Sequence, residues 1–326
     1  MAPFLRCRVG MSSLVPVNQK VACDAPREVG GCDARQRKKL LDWLDDGLRS
    51  GRRGRLEAEY PVSLAPGTLA THRVVWDAGR PLSHAMYRIA TARTPAPLRI
   101  GMIGLVYTDP DARGLGLARR CVRSCYQALE ERGAAVVLLW SDKPALYAEL
   151  GFRPFGREKR WWVDARLCRA ARVRLGRGSA DDAIELDLPR AGEWPRLEAL
   201  YAEKAIRLER DAGDLERLAA APETLCVVAR IEGEVVGYAA LGRGDDFCGV
   251  VHEWAGTAEA VLACLEGLCA ERGPLLVQAG PEPGLLGTSL EAAGAAAESD
   301  DFALARFLDP GCAPSTSLYL WGFDSI

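Results

Sequence analysis

The stretch Val106-Tyr107-Thr108-Asp109-Pro110-Asp111-Ala112-Arg113-Gly114-Leu115-Gly116-Leu117-Ala118 joins an apolar run to a helical pattern, and its residue types suit anion binding. Glycines at 114 and 116 let the backbone approach a ligand closely and adopt dihedrals other residues avoid. The helix that follows opens with N–H groups lacking intrahelical acceptors and with the positive end of its dipole, a ready site for a diphosphate. Arg113 adds charge. The spacing is not the dinucleotide fingerprint, which needs a third glycine further on, nor the phosphate loop that ends Gly-Lys-Ser/Thr. Other candidates are isolated. His84 stands on a neighbouring strand, where it reads either as a base or substrate contact or as a satisfied structural histidine. His252-Glu253 has no second histidine nearby and reads as structure.

Two segments carry a family resemblance. Arg113-x-x-Gly116-x-Ala118 after an apolar strand resembles the acyl-CoA diphosphate loop of GNAT-type N-acetyltransferases, written Gln/Arg-x-x-Gly-x-Gly/Ala. Ala145-Leu146-Tyr147-Ala148-Glu149-Leu150-Gly151-Phe152 resembles that family's Tyr-x-x-x-Gly-Phe segment. The resemblance spans about residues 34–165. Leu139-Trp140-Ser141-Asp142 is similar to the tandem-domain branch typified by enhanced-intracellular-survival acetyltransferases.

The resemblance implies acetyl-CoA as co-substrate, held by Val106, Tyr107, Thr108, Arg113, Gly114, Leu115, Gly116, Leu117 and Ala118. It implies direct attack of an amine on the thioester, the acceptor being a small molecule or a lysine side chain. Backbone groups at Val106 and Thr108 would hold the pantetheine and polarise the acetyl carbonyl. Tyr147, with a reference pKa of about 10, would protonate the departing thiolate. The base is open: His84, a water chain, or the chain end. The apolar segment Leu318–Ile326 must dock or remain an exposed liability. Either it carries the Ile326 carboxylate, or Asp324, to the acceptor amine, as the resemblance implies, or Trp321 and Phe323 only staple two domains together. Two other functions remain open: a non-catalytic CoA-binding or regulatory module, and an acyltransferase using a longer acyl-CoA.

The elements that position these residues follow from periodicity. Asp33 and Gln36 form a capping-box start to a helix over 34–50. Leu69–Trp76 and His84–Ala92 flank a turn at 77–81, and Ile100–Thr108 is a third strand. A helix over Leu117–Arg132 stops at Gly133. Ala134–Trp140 reads as a strand buried on both faces, Lys143–Leu150 as a short helix, and Phe152–Val163 as one strand. Arg166–Asp182 shows no clear period. A similar order recurs: helices at Trp194–Tyr201 and Leu215–Ala221, strands at Leu225–Arg230, Val235–Leu241 and Val250–Trp254, a helix over Ala258–Arg272 and a strand at Leu275–Gln278. The expected fold is α/β, with tandem GNAT-like domains. Each is a mixed, mostly antiparallel sheet flanked by helices, the second copy degenerate because it lacks the arginine and the close glycine pair. The expected organisation is a disordered leader over 1–32, a catalytic domain over 33–170, a degenerate domain over 171–313 and a docking tail over 314–326.

Composition agrees. The chain has 326 residues, enough for two domains. It is 48% hydrophobic and 26% charged, with a net charge of −2. That balance offers no footprint for nucleic acid or an anionic membrane. No apolar run reaches a membrane span. The leader has no signal-peptide core, because Arg6, Arg8 and Lys20 interrupt it. Eleven cysteines without a Cys-x-x-Cys pair, and three histidines, make a metal site unexpected. Cys121 and Cys125 read as core residues. A cytoplasmic protein is expected, and oligomerisation is left open.

Overall fold

The computed structural model describes residues 28–52, 54–175, 184–309, 311 and 318–326. The first half runs β1 (Val29–Gly30), α1 (Ala34–Leu48), α2 (Arg55–Glu59), β2 (His72–Asp77), β3 (Arg80–Arg93), β4 (Leu98–Thr108), α3 (Leu117–Glu131), β5 (Val136–Leu139), α4 (Ala145–Ala148), β6 (Arg153–Phe155), β7 (Glu158–Val163) and α5 (Ala165–Arg174). The second half runs β8 (Glu185–Asp187), α6 (Trp194–Ala202), β9 (Arg207–Leu208), α7 (Asp214–Ala219), β10 (Leu225–Ile231), β11 (Glu234–Leu241), β12 (Val250–Gly256), α8 (Ala258–Arg272), β13 (Leu275–Ala279), α9 (Gly284–Ala292), β14 (Ala297–Asp300) and β15 (Ala303–Phe307).

Local signals hold where they are strong. The Asp33 carboxylate accepts from the Gln36 amide at 2.8 Å, and the Gln36 side chain accepts from the Asp33 amide at 3.1 Å. That reciprocal cap starts α1. Val29 and Gly30 pair with Val75 and Val74. Ordered structure therefore begins before Asp33, and the rest of the expected leader, 1–27, lies outside the described residues. A helix was not expected over Ala165–Arg174. Asp164 caps α5 by accepting from the Leu167 amide at 2.7 Å, and Cys168 and Ala171 are buried. The apolar stripe is so narrow that arginines dominate the text.

Two sheets form. The first has the order β1-β2-β3-β4-β5-β15-β6, with β9 beside β3; the second has β14-β7-β13-β12-β11-β10-β8. In each, one pair is parallel, β4 with β5 and β12 with β13. Both sheets are mixed and mostly antiparallel with flanking helices, so the fold class is as read from the sequence.

The halves exchange strands. Phe152–Val163 is not one strand: Gly156 breaks it at φ 69°. β6 stays in the first sheet, while β7 crosses to lie between β13 and β14. In return β15 lies between β5 and β6. A cut at residue 170 therefore does not separate the two sheets. Trp161 and Val163 of β7 sit in the second core with α5, α8 and α9, and each large buried apolar side chain stabilises that crossing by about 1.5–3 kcal/mol. Cys121 and Cys125 are fully buried between α3 and the first sheet. A third core lies between the halves and contains Leu318–Trp321.

Candidate active site

The Gly loop stands between β4 and α3. Asp109 fixes its entry: its amide donates to Leu82 O at 2.9 Å, and its carboxylate accepts from the Asp111 amide at 3.0 Å and from Arg80 at 2.6 Å. Gly114 and Gly116 have φ 81° and 70°, and a Cβ on either would meet nothing within 4 Å. Gly116 is the N-cap of α3 and supplies no side-chain cap. The first amides of this helix are thus left for a ligand. Arg113 is exposed beside them, its Nε 3.4 Å from Thr108 O. Open backbone, uncapped helix and exposed cation fit a diphosphate.

Behind the loop, β4 and β5 part. Ile100, Gly101 and Met102 pair with Val136, Val137 and Leu138, and the ladder ends there. On its other side β4 stays paired with β3 as far as Thr108, with a bulge: His84 faces Tyr107 while Met86 faces Gly104. Leu105 within the bulge has φ 49°. Val106, Tyr107 and Thr108 are half-buried beyond it. Thr108 is tied to Ser83 through hydroxyls 2.8 Å apart. The Tyr107 ring lies edge-on to Trp43 of α1 at 4.8 Å and covers Gly47.

Tyr147 of α4 packs into the first core near Phe152. Burial pushes its phenol pKa up, and the Ser141 hydroxyl opposes that shift. A phenol so placed is protonated at neutral pH. Glu149 points away and pairs with Arg119 in the first turn of α3.

His84 does not reach the cleft as a base. It is 0% exposed. Its Nδ1 is 2.8 Å from Leu105 O and its Nε2 is 2.9 Å from His72 Nδ1. Burial lowers its pKa to about 3. Both nitrogens are engaged inside the protein. His252 is structural, as read: it is buried between Phe247 and Phe323, with Nε2 2.9 Å from Gly242 O.

The chain end docks between the halves. Trp321 packs on Trp254 and Tyr319 at 5.0 and 5.3 Å, and the Lys204 ammonium lies 3.4 Å from the Trp321 ring centre. Phe323 enters the second-half core. Asp324, fully buried, accepts from Arg210 at 2.8 Å and from the Tyr201 hydroxyl at 2.7 Å. Arg210 also grips Glu253 through both terminal nitrogens, at 2.9 and 2.6 Å. Asp324 is therefore committed to the ion cluster and is not free as a base. Arg243 donates to Gly322 O at 2.6 Å and to Ser325 Oγ at 2.9 Å. These contacts deliver Ile326 to β4, where a Cβ on Gly104 would lie 2.5 Å from Ile326 O and 2.6 Å from its C atom. Trp321 and Phe323 do staple the halves, and Ile326 ends one residue from the bulge.

The second half repeats the parallel pair but not the loop. Thr257 caps α8 by accepting from the Ala260 amide at 3.2 Å, so part of that helix start is already satisfied. β12 and β13 pair only at Val250–Val251. The tail occupies the gap beyond, with Gly322 against His252, Trp321 against Trp254 and Tyr319 against Gly280. Residue types announced the loop and Tyr147. Nothing local announced Gly104, His72, Arg243 or Arg210, which act through partners distant in the chain.

Comparisons with known proteins agree with this geometry. The model of the FR47-like protein family matches residues 87–163. No curated protein matches the sequence. A probable N-acyltransferase from Enterococcus faecalis V583 is similar in structure, with a TM-score of 0.65 and 13% identity over 87% of this chain and 73% of that one. A GCN5-related N-acetyltransferase from Kribbella flavida matches at TM-score 0.62 and 16% identity, over 86% of this chain and 71% of its own. Eis1 from Mycobacterium abscessus matches at 0.59 and 16%, over 86% and 74%. These matches run through both sheets. With its repeated order of antiparallel strands, parting strand, helix and parallel strand, this protein has the tandem GNAT N-acetyltransferase fold.

Proposed function

We propose that this protein is an N-acetyltransferase that moves an acetyl group from acetyl-CoA to an amine at one site, in its first half. The observation that carries the reading is the parting of β4 from β5 after Met102, on a strand that leads into the uncapped start of α3 and carries the docked chain end at Gly104. Acetyl-CoA supplies the thioester. Arg113 and the amides that open α3 hold its diphosphate, and Val106 and Thr108 present backbone groups to the pantetheine and the acetyl carbonyl. The Ile326 carboxylate accepts the proton of the attacking amine. Tyr147 gives its proton to the sulfur as the carbon–sulfur bond breaks. The acceptor is a small-molecule amine or a lysine side chain. Buried free thiols such as Cys121 and Cys125 suit a reducing compartment and support a cytoplasmic location.

Calorimetry with acetyl-CoA should give one site per chain, abolished in Arg113→Glu by charge and in Gly116→Asp by a side chain forced to positive φ. Free thiol release with a panel of amines then separates catalysis from sensing. Two sites, or unchanged affinity in both variants, would refute the assignment. Binding with no thiol release for any amine would leave a CoA-binding module.

A further inference from the structure

Five described non-glycine residues have positive φ: Ser50, Ala78, Leu105, Glu223 and Glu232. Four lie at exposed turns or helix ends. Leu105 alone lies inside a strand, at the bulge where β4 turns from β5. Positive φ is rare for a branched apolar residue and persists only where its surroundings enforce it. The Leu105 carbonyl is held by a 2.8 Å bond between Leu105 O and His84 Nδ1. A carbonyl only accepts, so Nδ1 carries the proton and donates. The neutral ring then offers Nε2 as acceptor, and His72 Nδ1 donates to it at 2.9 Å. Both rings are buried, at 0% and 2% exposure, and burial keeps them neutral. The tautomers of both histidines are thereby set from the bulge outward.

We infer that His84, oriented by His72, is a positioning residue for acyl-CoA: it holds the Leu105 carbonyl and with it the bulge beyond the parting of β4 from β5. The inference rests on the acyl-CoA reading of that parting. A bulge bends and twists the strand that carries it, so its release lets β4 straighten and redirects the backbone groups of Val106 and Thr108. Glycine adopts positive φ without steric cost. A glycine at 105 therefore has no need of the histidine.

The test is acetyl-CoA affinity by calorimetry on the full chain, with thermal midpoints alongside. His84→Leu removes the donor and should weaken binding at least tenfold. His84→Asn places an amide N–H near the Nδ1 position and should stay within threefold of the unaltered chain. His84→Leu combined with Leu105→Gly should recover most of the loss. A folded His84→Leu chain that binds within twofold, or His84→Asn as weak as His84→Leu, overturns the inference. If His84→Leu does not fold, the double variant decides: folded and tight supports it, folded and weak overturns it. No binding by the unaltered chain overturns the acyl-CoA reading and this inference with it. Intact binding in His84→Leu overturns this inference alone.

Discussion

Gly104→Ala adds one methyl to β4 just beyond its parting from β5. The backbone there is not at positive φ, so alanine fits the strand. The new Cβ would lie 2.5 Å from Ile326 O, 2.6 Å from its C atom and 2.9 Å from its Cγ1. Ordinary contact needs about 3.5 Å or more, so the chain end must withdraw by about 1 Å. Arg243 still holds Gly322 and Ser325, and Arg210 still holds Asp324, which confines the movement to the last residue. Overpacking of this kind costs about 1–3 kcal/mol, offset in part by the roughly 0.5–1 kcal/mol gained when alanine replaces glycine inside a strand. A misplacement of about 1 Å in a catalytic group lowers turnover by about 10²-fold. The expected outcome is kcat down by about that factor, acetyl-CoA affinity within a few-fold and a small shift in Tm. Thiol-release kinetics, calorimetry and thermal melting read the three quantities. Unchanged kcat would remove Ile326 from the mechanism. Lost acetyl-CoA binding would place the contact in the donor site instead.

Tyr147→Phe keeps the ring and removes the proton; kcat should fall by roughly 10²-fold with acetyl-CoA affinity nearly intact, and unchanged turnover with a responsive amine would assign the acid elsewhere. Asp324→Ala leaves the buried Tyr201 hydroxyl and one edge of Arg210 without their acceptor, so urea unfolding should show a loss of about 3 kcal/mol; a loss under about 1 kcal/mol would contradict the buried cluster. Burial lowers His72 to about 4, and His84 and His252 to about 3, from 6.5. The unfolded chain binds these protons first, so their contribution is full above about pH 6.5 and declines below it, by about 2 kcal/mol per histidine at pH 5. Urea midpoints at pH 7.5 and pH 5 check the sign, and an equal midpoint would count against neutral, buried rings.

Several features were legible because their causes are contiguous. The capping box needs only Asp33 and Gln36. The loop needs two glycines, an arginine and the helix they precede. Turns and buried runs placed most strands within a few residues. α5 escaped because Cys168 and Ala171 make a thin apolar stripe under four arginines between 165 and 175. β14 and β15 lack the strong alternation of apolar and polar residues that marks a strand in sequence.

The sequence by itself determined the fold class, the site of the Gly loop and the candidate acid, since each is written in adjacent residues whose dihedral and hydrogen-bonding needs are local. Only the tertiary structure decided which sheet each strand joins. β7 pairs as well with β13 as a strand would within its own half, and backbone ladders carry no label of origin; the side chains that fill each core make the choice. The structure alone also turned His84 from a candidate base into the holder of a bulge, and brought Ile326 to Gly104. Both outcomes depend on burial and on partners far along the chain, and burial is a property of the packed whole.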